Sequence, residues 1–518
     1  MHPHESLHLN AARGLADRPS LFCRSAFIKS VLKESRLNGV IFSTYNTDLP
    51  DVQEEFPFFF DKENPIPVLL LHGDKSIHRE GGSTTYYKKL EGEKDKEHWR
   101  ITLPCSFHVE AVIPCEEDET GRIRRTMGSH HCKYILVFTP DHLYVIITTA
   151  NLVEPQTLDM SQVQTFPPRS SEPPPHEFGA VLWDLLQAQS RSMELFAEYS
   201  GEKDASRCNT PLAFLNRELG INNLSLHYDF SEAVGDLVTS VPGTHDDNKY
   251  GLFRIREVLT KHAGELPRRL TREDRLGIQV TSIGDRLEEV VTRNPRFCRL
   301  ETMLHHFFPG DEIKAGDPLS STDLIWPSYQ YIRSCVRFPF KYRTDIVEDT
   351  EPLFHVKKAG GPLFLTAVQL HELGSRIRTC FRKFVTNAKL YPHLKTYFRR
   401  LGPESDDLAW FFLTSANLST GALGEERSGG RNLHLRNFEL GVLLHRSTTG
   451  ILRLSDIPLP YKTSTSELYH EVDEDGDIDD AFKELPYMHC LYGFKNYSTF
   501  GGAGEKELKR TFKKSRVV

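Results

Sequence analysis

The sequence predicts an α/β fold made of two similar α-β-α sandwich domains that are related by pseudo-twofold symmetry. Three observations support this prediction. The 518 residues suffice for two large domains. Apolar segments of strand length alternate with segments of helical periodicity. A motif with one histidine, one lysine and one asparagine occurs in each half of the chain, which indicates an internal duplication.

The composition is that of an ordinary globular protein. Hydrophobic residues make up 39% of the chain, charged residues make up 26%, and the mean hydropathy is -0.43. The net charge of -7 argues against a protein that coats nucleic acid by bulk charge, although it leaves room for a local basic groove. No apolar segment is long enough for a membrane span or a secretory signal. We therefore expect a soluble intracellular protein.

The cysteines and histidines show no pattern of metal ligands. Nine cysteines are dispersed along the chain without a CxxC pair. This set fits reduced thiols in the cytosol or the nucleus better than a disulfide framework or a zinc ribbon. Consecutive residues such as His130, His131 and Cys132 rarely converge on one ion, and no other cluster has ligand spacing. We expect neither a metal site nor a cofactor.

Several segments outside the repeat have a clear local prediction. Residues 178–199 place apolar side chains at i, i+3, i+4 and i+7, which predicts a core helix. Residues 166–175 contain five prolines and cannot form a helix or a central strand. A charged surface loop is predicted at 116–125 and a solvated acidic loop at 471–480. The basic tail at 506–518 fits a disordered end, a nuclear-import patch or a non-specific grip on DNA.

The repeat is the most informative feature of the chain. Each copy reads His-x-Lys, apolar strand, polar turn, apolar strand and Thr-Thr/Ser-Ala-Asn-Leu. The polar residues of the two copies are His131, Lys133 and Asn151 in the first and His393, Lys395 and Asn417 in the second. Because side chains alternate along a strand, the histidine and lysine of each copy project from the same face.

These residue types suit the cleavage of a phosphodiester. Lysine ammonium groups and asparagine amides can bind the nonbridging oxygens. One imidazole can attack phosphorus while the other protonates the leaving oxygen, and this chemistry requires no divalent metal. A solvated strand edge would be the structural alternative. It does not explain why both copies end on an asparagine after the following strand.

The motifs resemble those of the tyrosyl-DNA phosphodiesterase 1 family within the phospholipase D superfamily. Most superfamily enzymes carry an aspartate five positions after the lysine. Here those positions are Phe138 and Arg400, and the missing aspartates are typical of the tyrosyl-DNA branch. The matching segments are LLLHGDK at 69–75, GSHHCK at 128–133, LVTSVPG at 237–243, QVTSIG at 279–284, IWPS at 325–328, PHLKTY at 392–397, LTSANLS at 413–419 and FELGVLL at 438–444.

The resemblance implies a role for each residue of the repeat. His131 would be the nucleophile that forms a covalent phosphohistidine. His393 would protonate the leaving tyrosine and then activate water. The remaining four residues would bind the phosphate oxygens, namely Lys133, Lys395, Asn151 and Asn417.

The resemblance also assigns residues around this centre. Gln162 and Glu439 match positions that orient the two histidines, since an imidazole needs its second nitrogen held in place. Ser282 and Ser419 match residues that contact DNA phosphates. Family members often carry a phenylalanine that stacks on a base, whereas this chain has Met127 at that position.

The implied fold is a duplicated phospholipase D-like fold with the active site at the interface of the two domains. The expected domains are residues 20–247 and residues 248–505, each with one His-x-Lys...Asn motif, followed by the basic tail at 506–518. The segment after about residue 460 matches the family poorly.

The implied function is a DNA repair phosphodiesterase. It would hydrolyse the 3′-phosphotyrosyl bond between DNA and remnants of topoisomerase I, and other 3′ adducts, without a metal. Its partners would be single- and double-stranded DNA 3′ ends, with no membrane, and we expect a monomer in the nucleus. The alternatives are another nuclease or phospholipase of the superfamily, and a non-catalytic protein that binds DNA ends.

Overall fold

A computed structural model gives the fold for residues 7–10, 36–81, 83–89, 97–152, 157–170, 176–201, 209–283, 299–308, 318–327, 362–364, 380–386, 391–403, 405–461 and 487–489. The predicted acidic loop at 471–480 and the basic tail at 506–518 lie outside these residues.

The first half of the chain forms a large mixed sheet with helices packed on it. Its elements are β1 (Leu7–Asn10), β2 (Gly39–Thr44), α1 (Leu49–Glu55), a 3₁₀ helix (Pro57–Phe60), β3 (Val68–His72), β4 (Ile77–Arg79), β5 (Thr85–Lys89), β6 (Glu97–Thr102), β7 (Phe107–Ala111), β8 (Cys115–Glu117), β9 (Ile123–Arg125), β10 (Tyr134–Phe138), β11 (Leu143–Thr148), β12 (Thr157–Phe166), α2 (Glu177–Tyr199), α3 (Pro211–Leu219) and α4 (Leu224–His227).

The second half forms another large sheet. Its elements are β13 (Asp236–Ser240), β14 (Gly243–His245), α5 (Gly251–Lys261), β15 (Leu276–Gln279), α6 (Arg299–His305), β16 (Thr322–Trp326), β17 (Pro362–Phe364), β18 (Phe381–Lys383), β19 (Tyr391–Pro392), β20 (Thr396–Arg400), β21 (Leu408–Thr414), α7 (Thr420–Leu423), β22 (Glu425–Arg427), β23 (Asn432–Leu435), β24 (Glu439–His445), α8 (Arg446–Thr449) and β25 (Tyr487–His489). Short 3₁₀ helices lie at Ala263–Glu265, Pro318–Ser321 and Leu454–Asp456.

The two large sheets share one topology. The first has the order β1-β12-β11-β10-β2-β3-β7, with β19 added beside β12, and the second has the order β13-β24-β21-β20-β15-β16-β18. In both, the two motif strands form an antiparallel pair, the next strand is antiparallel, and the last two pairings are parallel. This strand-for-strand match confirms the predicted duplication.

Each sheet is buried on both faces, as the alternation along β10 shows. Tyr134, Leu136 and Phe138 point into a central core that also contains apolar residues of the second sheet and of α2. Ile135 and Val137 point to an outer core beneath α1. A third core lies on the outer face of the second sheet, beneath α5 and α6. The central core therefore joins the two halves.

The predictions for the core helix and the motif strands hold, whereas one loop prediction is wrong. The helix predicted at 178–199 is α2, and the four predicted motif strands are β10, β11, β20 and β21. The segment predicted as a loop at 116–125 instead forms a hairpin of β8 and β9, in which Cys115 pairs with Arg125. Cross-strand pairing outweighs the high charge of this segment, because its charged side chains remain at the surface.

Strand pairing places the boundary between the two halves earlier in the chain than the predicted boundary. β13 lies inside the expected first domain of residues 20–247, yet it pairs with β24 at the edge of the second sheet. By sheet membership, the change from one half to the other therefore precedes Asp236. Among the helices that the structure describes, none has both the length and the apolar character needed to cross a bilayer.

The segment before the first motif lies directly against the second half. The amide of His131 donates to the carbonyl of Phe438, and the amide of Phe438 donates to the carbonyl of Ser129, both at 3.0 Å. A methyl group on Gly128 would lie 1.6 Å from the carbonyl oxygen of Arg436. Only glycine allows the two backbones to approach this closely, and this approach brings the two motifs together.

Candidate active site

The two motif copies meet where the halves contact each other. Nζ of Lys395 donates to the carbonyl of Thr149, which belongs to the Thr-Thr-Ala-Asn-Leu segment of the other copy, at 3.1 Å. Lys395 is also close enough to His131 to lower the pKa of its imidazole. His393 follows β19, which pairs with β12 of the first sheet. Lys395 of the second half therefore lies at the same site as His131 of the first half.

His131 is held by a carboxylate from the opposite half. Its Nδ1 lies 2.8 Å from Oε2 of Glu439, the first residue of β24. The His131 side chain is 15% exposed, whereas that of Glu439 is 2% exposed. An imidazole that donates through Nδ1 keeps its lone pair on Nε2. This contact therefore leaves the lone pair on Nε2, the atom that a nucleophilic role would require.

Glu439 is itself held in place by two neighbours. Oγ of Ser415 donates to Oε2 at 2.6 Å, and Nδ2 of Asn437 donates to Oε1 at 3.1 Å. The same Asn437 accepts hydrogen bonds from the amide and the hydroxyl of Ser129, two residues before His131, both at 3.2 Å. Sequence reasoning missed Ser415 and Asn437, because nothing in their spacing connects them to the first motif.

Burial and neighbouring charges set the protonation states of this pair. Burial is the largest influence and lowers the pKa of His131. The carboxylate of Glu439 opposes this effect, whereas the ammonium groups of Lys133 and Lys395 lower the pKa further. Burial alone would raise the pKa of Glu439, but the attraction of His131 and Lys133 and the hydrogen bond from Ser415 overcome it and lower the pKa. The site thus favours a neutral imidazole beside a carboxylate.

The two lysines occupy equivalent and fully buried positions. Nζ of Lys133 donates to the carbonyl of His131 at 2.9 Å, and Nζ of Lys395 donates to the carbonyl of His393 at 3.4 Å. Both lysine residues have 0% exposure. An ammonium group has three N–H donors, and burying its charge is costly without anionic or polar partners. The arrangement therefore favours an anionic ligand at the site.

The two asparagines are anchored in the same way, which extends the pseudo-symmetry to the site. Oδ1 of Asn151 accepts from the amide of Tyr45, just after β2, at 3.3 Å. Oδ1 of Asn417 accepts from the amides of Thr281 and Ser282, just after β15, both at 3.1 Å. Each carbonyl oxygen thus accepts a hydrogen bond from a loop, and the nitrogen of each side-chain amide is its donor.

The predicted contact of Gln162 is not made in this structure. Gln162 is fully buried in β12, and its Oε1 accepts from Nε2 of Gln164 at 2.9 Å. Its own Nε2 is buried and has no hydrogen-bond partner within the described part of the chain. Gln162 therefore makes no hydrogen bond to either histidine among the described residues, whereas Glu439 is bonded to His131.

The residues expected to contact DNA lie on loops beside the asparagines. Ser282 is buried, and its own backbone amide donates to Oδ1 of Asn417. Ser419 is half-buried and caps α7, where its hydroxyl accepts from the amide of Ala422 at 3.2 Å. Met127, which stands where a stacking phenylalanine was expected, is 78% exposed just before the contact between the halves.

The structure adds an aromatic residue that sequence reasoning missed. The Tyr45 ring is 41% exposed, and its centroid lies 5.5 Å from that of His131. Nζ of Lys133 lies 6.0 Å from the same ring centroid. An exposed ring beside a nucleophile offers a surface on which a planar ring can stack. No sequence signal marks Tyr45, because it reaches the site only through the pairing of β2 with β10.

His130 has a structural role, although it adjoins the candidate nucleophile. Its imidazole is fully buried, and its Nε2 lies 3.0 Å from Oγ of Ser43 in β2. Burial and the nearby charge of Lys133 hold the pKa of His130 well below its usual value. It stays neutral and packs against the second half, so His131 alone of these two histidines reaches the site.

Comparison with known sequences identifies one family. The chain matches the family model described as tyrosyl-DNA phosphodiesterase over residues 9–489. It is 26% identical to tyrosyl-DNA phosphodiesterase 1 of Arabidopsis thaliana over 420 residues, which are 79% of this chain and 57% of that protein. A probable tyrosyl-DNA phosphodiesterase of Schizosaccharomyces pombe is 23% identical over 404 residues, which are 66% of this chain and 68% of that protein.

Comparison with solved structures shows the fold. Yeast tyrosyl-DNA phosphodiesterase matches with a TM-score of 0.50 at 13% identity, covering 86% of this chain and 91% of that one. A histidine-to-asparagine mutant of the yeast protein matches with a TM-score of 0.52 at 14% identity, covering 86% and 92%. These matches confirm the predicted two-domain phospholipase D-like fold. The chain spans little more than half the length of the plant relative. Since the family model covers most of its residues, the chain belongs to the tyrosyl-DNA phosphodiesterase family.

Proposed function

We propose that this chain is a DNA repair phosphodiesterase that hydrolyses the bond between a DNA 3′ phosphate and a tyrosine, such as the one left by topoisomerase I. The observation that carries the proposal is the contact between the two motif copies. His131 of the first half is held by Glu439 of the second, and Lys395 reaches across to Thr149. Two histidines and two buried lysines at one interface suit a two-step phosphoryl transfer.

The first step would form a covalent intermediate. Nε2 of His131 attacks phosphorus, a nitrogen–phosphorus bond forms, and the bond from phosphorus to the tyrosine oxygen breaks. His393 gives its proton to the leaving phenolate. Lys133 and Lys395 neutralise the charge that grows on the nonbridging oxygens. Glu439 stabilises the positive charge that develops on His131.

The second step would release the DNA. His393, now neutral, takes a proton from water while the water oxygen attacks phosphorus. The bond between phosphorus and Nε2 of His131 then breaks, which regenerates the neutral imidazole and leaves a 3′ phosphate. Both steps use groups of this chain and water, and neither calls for a redox partner.

DNA would be held through its backbone. Ser282 and Ser419 lie on the loops that flank Asn417. These two serines could contact DNA phosphates, as the resemblance to the family implies. Backbone contacts imply little sequence preference and acceptance of single- and double-stranded ends. Because both motif copies belong to one chain, the site is complete in a monomer, and we expect that state.

The decisive test is incubation of the purified full chain with an oligonucleotide that carries a 3′ phosphotyrosine, in excess EDTA. Release of tyrosine and a 3′ phosphate is the expected result. A phospholipid and an unmodified oligonucleotide serve as comparison substrates for a phospholipase or a general nuclease. Binding of the oligonucleotide without any release of tyrosine, even in a single turnover, would show a non-catalytic DNA-end-binding protein instead.

The chain would act in the nucleus, where DNA ends with such adducts arise. The basic tail at 506–518 is the candidate import signal. Imaging of a fluorescent fusion truncated after Gly504 tests this role. A lower nuclear fraction supports it, whereas unchanged nuclear enrichment means that the tail is not the signal.

A further inference from the structure

A cluster of two histidines and one aspartate lies far from the candidate active site. Asp236 begins β13, His262 caps the C-terminus of α5, and His445 ends β24. One ligand atom from each residue lies within 4.8 Å of the others, and no other such group of metal-binding side chains occurs among the residues that the structure describes. We propose that these three residues form a structural zinc site.

The ligand atoms converge on one point. Oδ2 of Asp236 lies 2.6 Å from Nε2 of His445 and 3.3 Å from Nε2 of His262. A tetrahedral zinc ion with bonds of about 2.0 to 2.1 Å separates its ligand atoms by about 3.3 Å. The contact with His262 already has this separation, and the contact with His445 must lengthen. Two imidazoles and a carboxylate are a common ligand set for zinc.

Each of the three side chains has its second polar atom held by a neighbour. Oγ of Ser447 contacts Nδ1 of His262 at 3.0 Å and also Nδ1 of His445. The Arg254 guanidinium lies 3.5 Å from Oδ1 of Asp236. Such contacts fix the orientation of metal ligands. They leave Nε2 of both histidines and Oδ2 of the aspartate facing one another.

One of these atoms contacts the aspartate without a hydrogen bond. Nε2 of His262 is buried and lies 3.3 Å from Oδ2 of Asp236, but this contact lacks hydrogen-bond geometry, and the atom makes no hydrogen bond within the described ranges. A buried imidazole nitrogen beside an anion is a ready ligand for a cation.

Space for a fourth ligand adjoins the histidines. A cavity of about 20 Å³ is lined by His262 and His445, together with Leu259 and Trp410. This volume holds about one water molecule. The two rings are nearly parallel, with centroids 3.6 Å apart and planes at 15°. The two rings must therefore rotate apart for both lone pairs to point at one ion.

The ion would be structural rather than catalytic. Glu439 and His445 stand at opposite ends of β24, which places them about 20 Å apart at 3.4 Å per residue. The three ligands join the end of α5 to two neighbouring strands of the second sheet. Zinc would therefore stabilise the outer layer of the second half without contacting the phosphodiester. The proposal does not depend on the proposed function.

The test is metal binding by the full chain. We expect one zinc ion per chain by plasma mass spectrometry after dialysis, and a cobalt-substituted protein with the absorption bands of a tetrahedral site. The variants His262→Gln and His445→Gln should lose this binding. Control variants are His227→Gln, which changes a histidine outside the cluster, and His131→Ala, which tests for zinc held at the active site.

Ser447→Ala tests the site without removing a ligand and is the variant to use where the ligand variants do not fold. It should weaken zinc binding about 10- to 100-fold, measured by competition with a coloured chelator. The proposal would be overturned if the chain took up neither zinc nor cobalt at a ratio near one. It would also be overturned if His131→Ala took up no zinc, or if the zinc affinity stayed unchanged in Ser447→Ala and in the folded ligand variants.

Discussion

The carboxylate of Glu439 in the second half lies 2.8 Å from Nδ1 of His131 in the first half. The two residues are 308 positions apart, and neither half alone contains both members of the pair. The carboxylate selects the tautomer with its proton on Nδ1, so that Nε2 carries the lone pair. The candidate nucleophile of one half is therefore oriented by a residue of the other half. This relationship motivates the first two predictions.

Replacing Glu439 by glutamine should slow the reaction and shift its pH dependence. We expect turnover to fall roughly 10²- to 10⁴-fold, because the imidazole loses its orienting anion. Glu439 raises the pKa of His131, so its loss lowers that pKa further. Because His131 must be neutral to attack, the acidic limb of the pH profile should move to lower pH. Glu116→Gln, in the surface hairpin, is the control, and an unmoved limb would contradict the assigned pairing.

Mutation of the two histidines should separate the two steps. His131→Ala removes the nucleophile and should abolish any covalent adduct. His393→Asn keeps the nucleophile, and tyrosine, with a phenol pKa of about 10, can leave slowly without an acid. Water needs a base, so hydrolysis should suffer more and protein joined to DNA should accumulate. A denaturing gel under quench conditions that preserve phosphohistidine shows the adduct. An adduct that builds up in His131→Ala would instead mean reversed roles.

A methyl group at Gly128 should disrupt the contact between the halves. In Gly128→Ala the new Cβ would lie 1.6 Å from the backbone oxygen of Arg436, so one of the two backbones must move. We expect a loss of about 1 to 3 kcal/mol in the free energy of unfolding, and reduced activity because His131 follows closely. Gly264→Ala is the matched control, since its Cβ would meet nothing within 4 Å. Equal midpoints of thermal unfolding for the two variants would contradict this prediction.

Because of His72, the protein should be less stable in mild acid than at neutral pH. Burial lowers the pKa of His72 to about 4 from an ordinary value of 6.5. Between these values the unfolded chain binds a proton that the folded chain does not bind. Stability is therefore fully present above pH 6.5 and falls as the pH drops toward 4, by about 3 kcal/mol from this residue alone. Urea unfolding across this range should show a smaller loss for His72→Asn.

The unaltered chain provides the comparison for this experiment. If His72→Asn unfolds with the same pH dependence as the unaltered chain, burial of His72 is not the source of the acid sensitivity.

The duplication and the residues that each copy contributes could be predicted from the amino-acid pattern alone. Apolar alternation predicted β10, β11, β20 and β21, and the helical period predicted α2, because these signals act within one element. The His-x-Lys pairs and their asparagines could be recognised for the same reason. Each copy is a short local pattern, and its repetition is visible in the printed chain.

Contacts between residues that are distant along the chain became visible only in the folded protein. Tyr45 reaches His131 through the pairing of β2 with β10, and Asn437 links Glu439 to Ser129 across the halves. The assignment of β13 to the second sheet likewise rests on its pairing with β24. The structure also leaves Gln162 without a hydrogen bond to either histidine among the described residues.

The proposed zinc ligands illustrate why contacts between distant elements could not be predicted. Asp236, His262 and His445 come from two strands and a helix end, and their spacing along the chain matches no ligand motif. Local periodicity specifies which face of an element is buried, but it carries no information about which distant element covers that face. Packing of the two sheets and their helices supplies that information, and with it the geometry of both sites.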